Sequence, residues 1–273
     1  MILSDLWTVL LYQPLINGLI LLYRLLGQNL GWAIIGLTIV LRLVLYPLTL
    51  PSLKTAQKMK ELQPQLEKLK KRHGHDKQAL AAAQLQLYRQ HGANPAAGCL
   101  PWIIQLVVLL ALFKAFNQAL VADGGVISQL NQLLYLPLRL PLDTVFNVNF
   151  FYLNLTKPDL ITLPFAINLG FITFKQLPGL FLIASAVVQF ISSKLMMPFS
   201  SAAQKIASKT PQKEDDMAVA MQKQMLYLMP LMTLVIGFTF PSGLVLYWLA
   251  LSLAMLGQQL LVNHQSGKTK HHG

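Results

Sequence analysis

Charged side chains are scarce in this chain, and acidic ones are the scarcest. Charged residues make up 12% of the 273 residues, whereas soluble domains usually carry about a quarter. Ten of them are acidic, against 22 Lys and Arg. This composition excludes an ordinary soluble domain. The apolar residues, 54% of the chain, come in long runs, which is typical of a membrane protein.

Cysteine is almost absent, and the common catalytic motifs are missing. Cys99 is the single cysteine, so no intrachain disulfide can form, and we interpret it as a small packed residue. The sequence contains no His-Glu-x-x-His zinc motif. The SGKT stretch at 266–269 lacks the first glycine of a phosphate loop, since position 262 is Val262. We therefore expect no enzyme active site, no metal and no cofactor. The N-terminal stretch lacks a basic n-region and a small-residue cleavage site, so we also expect no cleavable signal peptide.

Five segments are long and apolar enough to span a membrane, which takes about 20 residues. They cover residues 31–51, 100–120, 179–197, 224–240 and 243–262. Only Pro241 and Ser242 separate the last two, so these form a transmembrane hairpin. The sequence predicts an all-α polytopic membrane protein with a short tail at 264–273.

The first 30 residues leave two interpretations open. The stretch 6–26 is long enough to cross the bilayer, which would make a sixth span. However, Gln13, Asn17 and Arg24 are spaced four and seven residues apart and share one helical face. We favour an amphipathic helix that lies in the outer membrane interface.

The distribution of Lys and Arg predicts the orientation. Fifteen of them fall in 52–98, 198–223 and the tail after residue 262, whereas only four fall in the opposite loops. The positive-inside rule places the basic side in the cytoplasm. The N-terminus is then outside, the C-terminus is cytoplasmic, and 121–178 is an outer loop, called the 121–178 segment below.

Nine of the cytoplasmic basic residues lie in a predicted helical hairpin at 54–95. Gly74 ends its first helix, and Asp76 caps a second helix over about 77–90. Its basic surface is expected to contact anionic headgroups and the ribosome or the targeting machinery; alternatively, the charges serve only as a topological determinant. The predicted contact residues are Lys58, Lys60, Lys70, Lys71 and Arg72.

Arg42 is the most informative single residue. It lies in the middle of the first span, and a helix rise of about 1.5 Å per residue puts either end about 15 Å away. Burial in hydrocarbon would cost about 2.5–3.5 kcal/mol, and all ten acidic residues lie outside the predicted spans. The sequence predicts that Arg42 faces a water-filled cavity. The other polar groups at this depth are Thr38, Gln105, Ser185, Gln189 and Ser252, each more typical of helix–helix hydrogen bonding.

Methionine recurs at helical spacing in and before the fourth span. Met217, Met221, Met225 and Met229 follow each other every four residues, and Met196 lies at the end of the third span. Methionine adapts to varied apolar surfaces. The stripe is consistent either with ordinary core packing or with contact to apolar substrate segments through Met196, Met221, Met225 and Met229.

Five groups of motifs, in order, resemble the YidC/Oxa/Alb family of membrane protein insertases. They are LRL (41–43) with YPLT (46–49), ELQP (61–64), HGANP (91–95) with GCLP (98–101), LTKPD (155–159), and MPLM (229–232) with PSGLVLYW (241–248). The resemblance covers about 31–263. The 121–178 segment is longer than this family leads us to expect.

The resemblance implies an insertase and chaperone core that works without nucleotide hydrolysis. Its five helices would enclose a hydrophilic groove that is open to the cytoplasm and the lipid and closed outside. Arg42, Gln189 and Trp248 match groove positions, and we add Gln105 and Thr38. The implied partners are nascent membrane proteins and lipids, with the ribosome, the signal recognition machinery and the Sec translocon as further ones, and no specific nucleic acid. The implied location is the bacterial plasma membrane.

Two other classes of function stay open at this point. One is a small-solute channel or transporter, although the spans lack the carboxylates that proton-coupled transport needs. The other is a non-catalytic scaffold for the assembly of membrane proteins.

Overall fold

The structure is a computed structural model that describes residues 6–73, 76–93, 100–120, 124–168, 173–196 and 215–269. Its helices are α1 (Gln13–Leu25, after a π-helical turn at Thr8–Tyr12), α2 (Leu30–Glu61), α3 (Gln63–His73), α4 (Lys77–Gln90), α5 (Leu100–Leu120), α6 (Gly124–Leu133), α7 (Leu180–Met196), α8 (Asp215–Gly237) and α9 (Ser242–Thr269). Two small antiparallel hairpins pair β1 (Asn149–Phe150) with β2 (Leu153–Asn154), and β3 (Leu160–Asn168) with β4 (Thr173–Pro178).

The chain forms two compact units. The first comprises Met1–Val44, Ile104–Val188 and Leu231–Ala254, and the second comprises Leu45–Ile103, Gln189–Pro230 and Met255–Gly273. The first unit contains Arg42 and the 121–178 segment. The second contains the basic helical hairpin.

Long apolar helices dominate the structure, as the sequence predicts for an all-α polytopic membrane protein. Within the described residues, Thr8–Leu25, Leu30–Met59 and Ser242–Val262 are long and apolar enough to cross a membrane. Ile104–Lys114, Leu180–Leu195 and Leu226–Gly237 are shorter apolar helices. The number of helices that cross, predicted as five, stays a prediction.

Three helices are longer than the predicted spans. Helix α2 continues past residue 51 to Glu61 and contains Pro47 and Pro51. A proline removes one amide from the helix ladder, and the Thr49 hydroxyl lies 3.1 Å from the carbonyl of Leu45 in the same stretch. Helix α8 begins at Asp215, nine residues before the predicted span, and α9 runs to Thr269, through most of the predicted tail.

The helices α3 and α4 form a basic helical hairpin, whereas residues 54–61 of the predicted hairpin belong to α2. Asp76 caps α4, since its carboxylate accepts a hydrogen bond from the amide of Ala79 at 3.0 Å. The helices α3 and α4 pack through a small apolar core made of Leu62, Leu66, Leu87 and Ala93, flanked by Met59, Leu69 and Tyr88. Burial raises the pKa of Tyr88. The turn at 74–75 lies outside the described residues.

The polar stripe of α1 faces protein. Asn17 donates to the carbonyl of Leu133 at 2.9 Å and accepts from the amide of Tyr135 at 2.7 Å. The Arg24 guanidinium donates to the carbonyls of Pro137, Leu138 and Arg139. Because these contacts explain the stripe without any headgroups, the stripe no longer favours the interfacial interpretation over a sixth span. Both interpretations of residues 1–30 stay open.

Candidate functional site

The predicted groove residue Arg42 lies on α2, half-buried in a run of apolar residues. One of its contacts is a long hydrogen bond, in which Nη2 donates to Oε1 of Gln105 at 3.3 Å. Gln105 lies on α5 and in turn donates from Nε2 to the hydroxyl of Tyr247 on α9 at 2.6 Å. A polar chain of three side chains therefore connects three apolar helices within the first unit.

Of the three side chains in this hydrogen-bonded series, Tyr247 is the one that was not predicted from the sequence. Only 1% of its surface is exposed, and its hydroxyl accepts the short bond from Gln105. The family resemblance indicated instead its neighbour Trp248, which is half-buried at the next position of α9. The polar chain thus joins Arg42 with one predicted residue, Gln105, and one that was missed.

The Thr38 hydroxyl makes a hydrogen bond within its own helix, and the Ser185 hydroxyl connects two helices. Thr38 is buried one turn before Arg42, and its hydroxyl donates to the carbonyl of Ile34 at 2.7 Å in the same helix. The Ser185 hydroxyl lies 2.8 Å from the carbonyl of Phe181 and 3.2 Å from that of Val245, so it bridges α7 and α9. Ser185 therefore has the interhelical role that its position predicted. The role of Thr38 in a groove stays a prediction.

One end of this unit is held by a loop that we call the capping loop, residues 147–159. Its backbone carbonyls accept the first amides of two long helices. Asn147 accepts from Leu30 at the start of α2 at 3.0 Å, and Lys157 accepts from Ser242 at the start of α9 at 2.7 Å. The first amides of a helix have no partner within the helix. The capping loop supplies those partners, and so ties the helix starts to one another.

Asp159 extends the same arrangement to α7. Asp159 is 2% exposed, and its carboxylate accepts from the amide of Leu182 at 2.8 Å and from the Tyr152 hydroxyl at 3.0 Å. A carboxylate at a helix N-terminus satisfies free amides and complements the helix dipole. Partial burial and the neighbouring Asp159 carboxylate both raise the pKa of Tyr152.

The remaining predicted residues lie in the second unit. Gln189 on α7 and Met229 on α8 are half-buried and have contacts of their own. Met196 is the last residue of α7, and Met221 and Met225 lie on α8. The structure describes the backbone of these three residues but not their side chains. Whether these residues share a surface with Arg42 stays a prediction.

The basic residues of the hairpin are displayed outward where they are described. Lys58, Lys71 and Arg72 are exposed beside the apolar core of α3 and α4. Lys60 and Lys70 lie in the same helices, and their side chains lie outside the described ones. Among the residues that the structure describes, no three His, Cys, Asp or Glu side chains come together as a metal site would need.

Comparison with known proteins gives the family. The sequence model of the family described as "60Kd inner membrane protein" matches residues 21–269. The chain belongs to this family. It is 32% identical over 234 residues to the protein named "Membrane protein insertase YidC" of Fusobacterium nucleatum, and the match covers 86% of each chain.

Longer members of the family match over most of this chain but only part of their own length. The insertases named YidC of Pelobacter propionicus and Treponema pallidum are each 30% identical to it. The matches cover 94% of this chain in both cases, but 39% and 36% of those proteins. The family and the apolar helices together identify a multi-pass, all-α membrane protein.

Proposed function

We propose that this protein is a membrane protein insertase and chaperone that passes polar segments of nascent membrane proteins through a hydrophilic intramembrane groove. The names of the similar proteins support the activity. The observation that carries the proposal is the polar chain Arg42–Gln105–Tyr247 among apolar helices. A cation and a buried amide are costly at membrane depth, and a substrate pathway gives them a use.

The physical role of such a groove is to shorten the apolar path. A charged residue of a nascent chain costs about 2.5–3.5 kcal/mol at the bilayer centre on insertion scales. In the proposed groove, Arg42 attracts the acidic groups of a crossing segment, because charges interact strongly in a low dielectric. The apolar span of the substrate then leaves sideways into lipid, so the process needs no nucleotide.

The capping loop supports a groove that is closed on one side. It binds the starts of α2, α7 and α9, which by the predicted orientation lie outside the cell. Such a closure separates an insertase from a channel, which needs a path that is open to both sides. The cytoplasmic opening, the orientation of the termini and the contribution of Gln189, Trp248 and Thr38 belong to the proposal.

Cysteine labelling tests the groove. With Cys99 replaced, a cysteine at Gln105 or Gln189 should react with a membrane-impermeant thiol reagent that is supplied from the cytoplasmic side. It should be protected from the same reagent supplied outside. A cysteine at Leu43, an exposed apolar position of α2 that we expect to face lipid, is the unreactive control. Labelling from both sides would favour a channel, and labelling from neither side would exclude the water-filled groove.

A depletion experiment tests the activity itself. Expression of this protein in cells depleted of their own insertase should restore the insertion of small membrane proteins. A scaffold that only assembles membrane proteins would not restore it. Wild-type protein that reaches the membrane in normal amount and yet restores no insertion would contradict the proposal.

A further inference from the structure

Five aromatic rings meet where α2 and α7 begin. The ring of Trp32 on α2 lies 5.2 Å from that of Phe150 and 6.5 Å from that of Phe151. Phe181 on α7 lies 6.3 Å from Phe151 and 5.7 Å from Tyr152. We call Trp32, Phe150, Phe151, Tyr152 and Phe181 the aromatic patch. It joins the starts of two apolar helices to the β1–β2 turn.

The patch has one buried member and an exposed face. Phe150 is 4% exposed, whereas Phe151, Tyr152 and Trp32 are 77%, 55% and 48% exposed. Phe151 has a φ of +51°, a conformation that suits glycine and costs a bulky residue about 1–3 kcal/mol. The turn therefore holds a large ring outward at a position where glycine would be unstrained.

The helices of the patch define its depth in the membrane. Trp32 is the third residue of α2, and Phe181 is the second residue of α7. The first turn of a membrane helix lies at the boundary between headgroups and hydrocarbon, where Trp and Tyr are enriched. Because the ring of Phe151 contacts both Trp32 and Phe181, it lies at the same depth.

The β3–β4 hairpin starts directly beside the patch. Its first residue, Leu160, follows Asp159, whose carboxylate accepts a hydrogen bond from the Tyr152 hydroxyl. Only Gly179 separates its last residue, Pro178, from α7. Its apolar side chains Ile161, Phe165 and Leu177 are 51%, 66% and 39% exposed. A two-stranded hairpin is at best marginally stable in water. Contact of these side chains with an apolar environment would stabilise it.

We propose that the aromatic patch and the β3–β4 hairpin lie in the headgroup–hydrocarbon boundary of the leaflet where α2 and α7 enter the bilayer, with phospholipid as their partner. The patch is continuous with the first turns of two membrane helices, which places lipid next to it. Residues 160–178 contain no acidic residue, and Lys175 is their only charge, so nothing in the hairpin is repelled by anionic headgroups. Rings held rigidly at this boundary would anchor the capping loop at a fixed height over the helix starts.

Spin labels on the full-length protein test this placement. With Cys99 replaced, single cysteines at Phe151 and Phe165 carry the label in nanodiscs of phosphatidylethanolamine and phosphatidylglycerol. Leu43, in the middle of α2 and 68% exposed, is the hydrocarbon standard. Asp143, exposed in the same 121–178 segment, is the water standard. Each label is tested for collision with oxygen, which concentrates in lipid, and with a nickel chelate, which stays in water.

The labels at Phe151 and Phe165 should give an oxygen-to-nickel ratio several-fold above that of Asp143 and below that of Leu43. A ratio equal to that of Asp143 would overturn the proposal, because the surface would then face water. Shielding from both reagents would also overturn it, because protein would then cover the surface. The measurement does not depend on insertase activity, so the lipid contact and the proposed function can fail separately.

Discussion

Gly179 leaves the space that the carboxylate of Asp159 occupies. A Cβ at position 179 would lie 1.8 Å from Oδ1 of Asp159, and the Gly179 amide donates to the Asp159 carbonyl at 2.8 Å. A side chain at this position would therefore displace the carboxylate from the start of α7. The fit between these two residues fixes the geometry with which the 121–178 segment joins the membrane helix.

The first prediction is that Gly179→Ala destabilises the protein. Displacement of the carboxylate leaves buried donors without partners, which costs about 1–3 kcal/mol. The thermal unfolding midpoint in detergent, followed by tryptophan fluorescence, should fall by several degrees. Gly257→Ala is the matched control, because a Cβ there meets nothing within 4 Å. Equal midpoints for the two variants would refute the close fit.

The second prediction concerns the bond between Tyr152 and Asp159. Asp159→Ala removes the acceptor of both the Tyr152 hydroxyl and the Leu182 amide, and should cost about 1–3 kcal/mol. Tyr152→Phe removes the donor to Asp159 and the acceptor of the Phe181 amide, and should cost less because Tyr152 is 55% exposed. Since the two side chains share a bond, the double variant should be less destabilised than the sum of the single variants. If the two losses of stability add exactly, the Tyr152 and Asp159 side chains have no interaction energy with each other.

The third prediction concerns Tyr247. Tyr247→Phe removes the acceptor for Gln105 Nε2, which should lower stability by about 1 kcal/mol. If Gln105 positions the Arg42 guanidinium, insertion of an acidic substrate in proteoliposomes should also slow down. Tyr227→Phe is the control, since Tyr227 is 61% exposed on α8. The same insertion rate in both variants would show that the Tyr247 hydroxyl has no part in insertion.

The sequence predicts the long apolar helices, but not α6, and two members of the polar chain, because those features are local. Arg42 and Gln105 stand out as polar residues in apolar runs. Tyr247 does not, because a phenol is common in apolar helices and residues 242–247 of α9 are all buried, so no amphipathic pattern marks it. Its partner Gln105 is 142 residues away, a pairing that only the tertiary structure reveals.

The 121–178 segment could not be assigned from the sequence for a different reason. Strand β3 reads LITLPFAIN, which has no regular alternation of apolar and polar residues and contains Pro164. Its pairing with β4 is irregular between Thr162 and Ile167. Alternation is the main signal of a half-buried strand, and the described side chains of this hairpin are mostly exposed. The role of Asp159 likewise depends on a chain reversal over residues 160–178.

The fourth prediction concerns the basic hairpin. A deletion of 54–94 that keeps the topology should impair insertion if its cations contact headgroups or the targeting machinery. A milder variant replaces Lys68, Lys71 and Arg72, which are exposed, by Gln. Its control replaces Lys205, Lys209 and Lys213, three cations on the same predicted side. Unchanged insertion by correctly oriented variants would leave the hairpin with a topological role only.

The fifth prediction tests whether Arg42 acts through its charge. Lys keeps the cation but not the planar donor geometry, so Arg42→Lys should retain most of the insertion activity. Arg42→Ala should lose it for substrates with acidic outer segments. Replacing the acidic residues of such a substrate by Asn and Gln should make insertion insensitive to Arg42→Ala, because no charge is then left to attract.

Insertion is measured by protease protection of the outer segment in proteoliposomes, which separates translocation from simple binding. The unfolding midpoint of each variant shows whether a loss of activity follows from a loss of structure, since Arg42 also bonds Gln105. Full activity of Arg42→Ala on an acidic substrate would contradict the electrostatic role. Equal loss on acidic and neutralised substrates would show that Arg42 supports the fold of the first unit rather than the passage of charge.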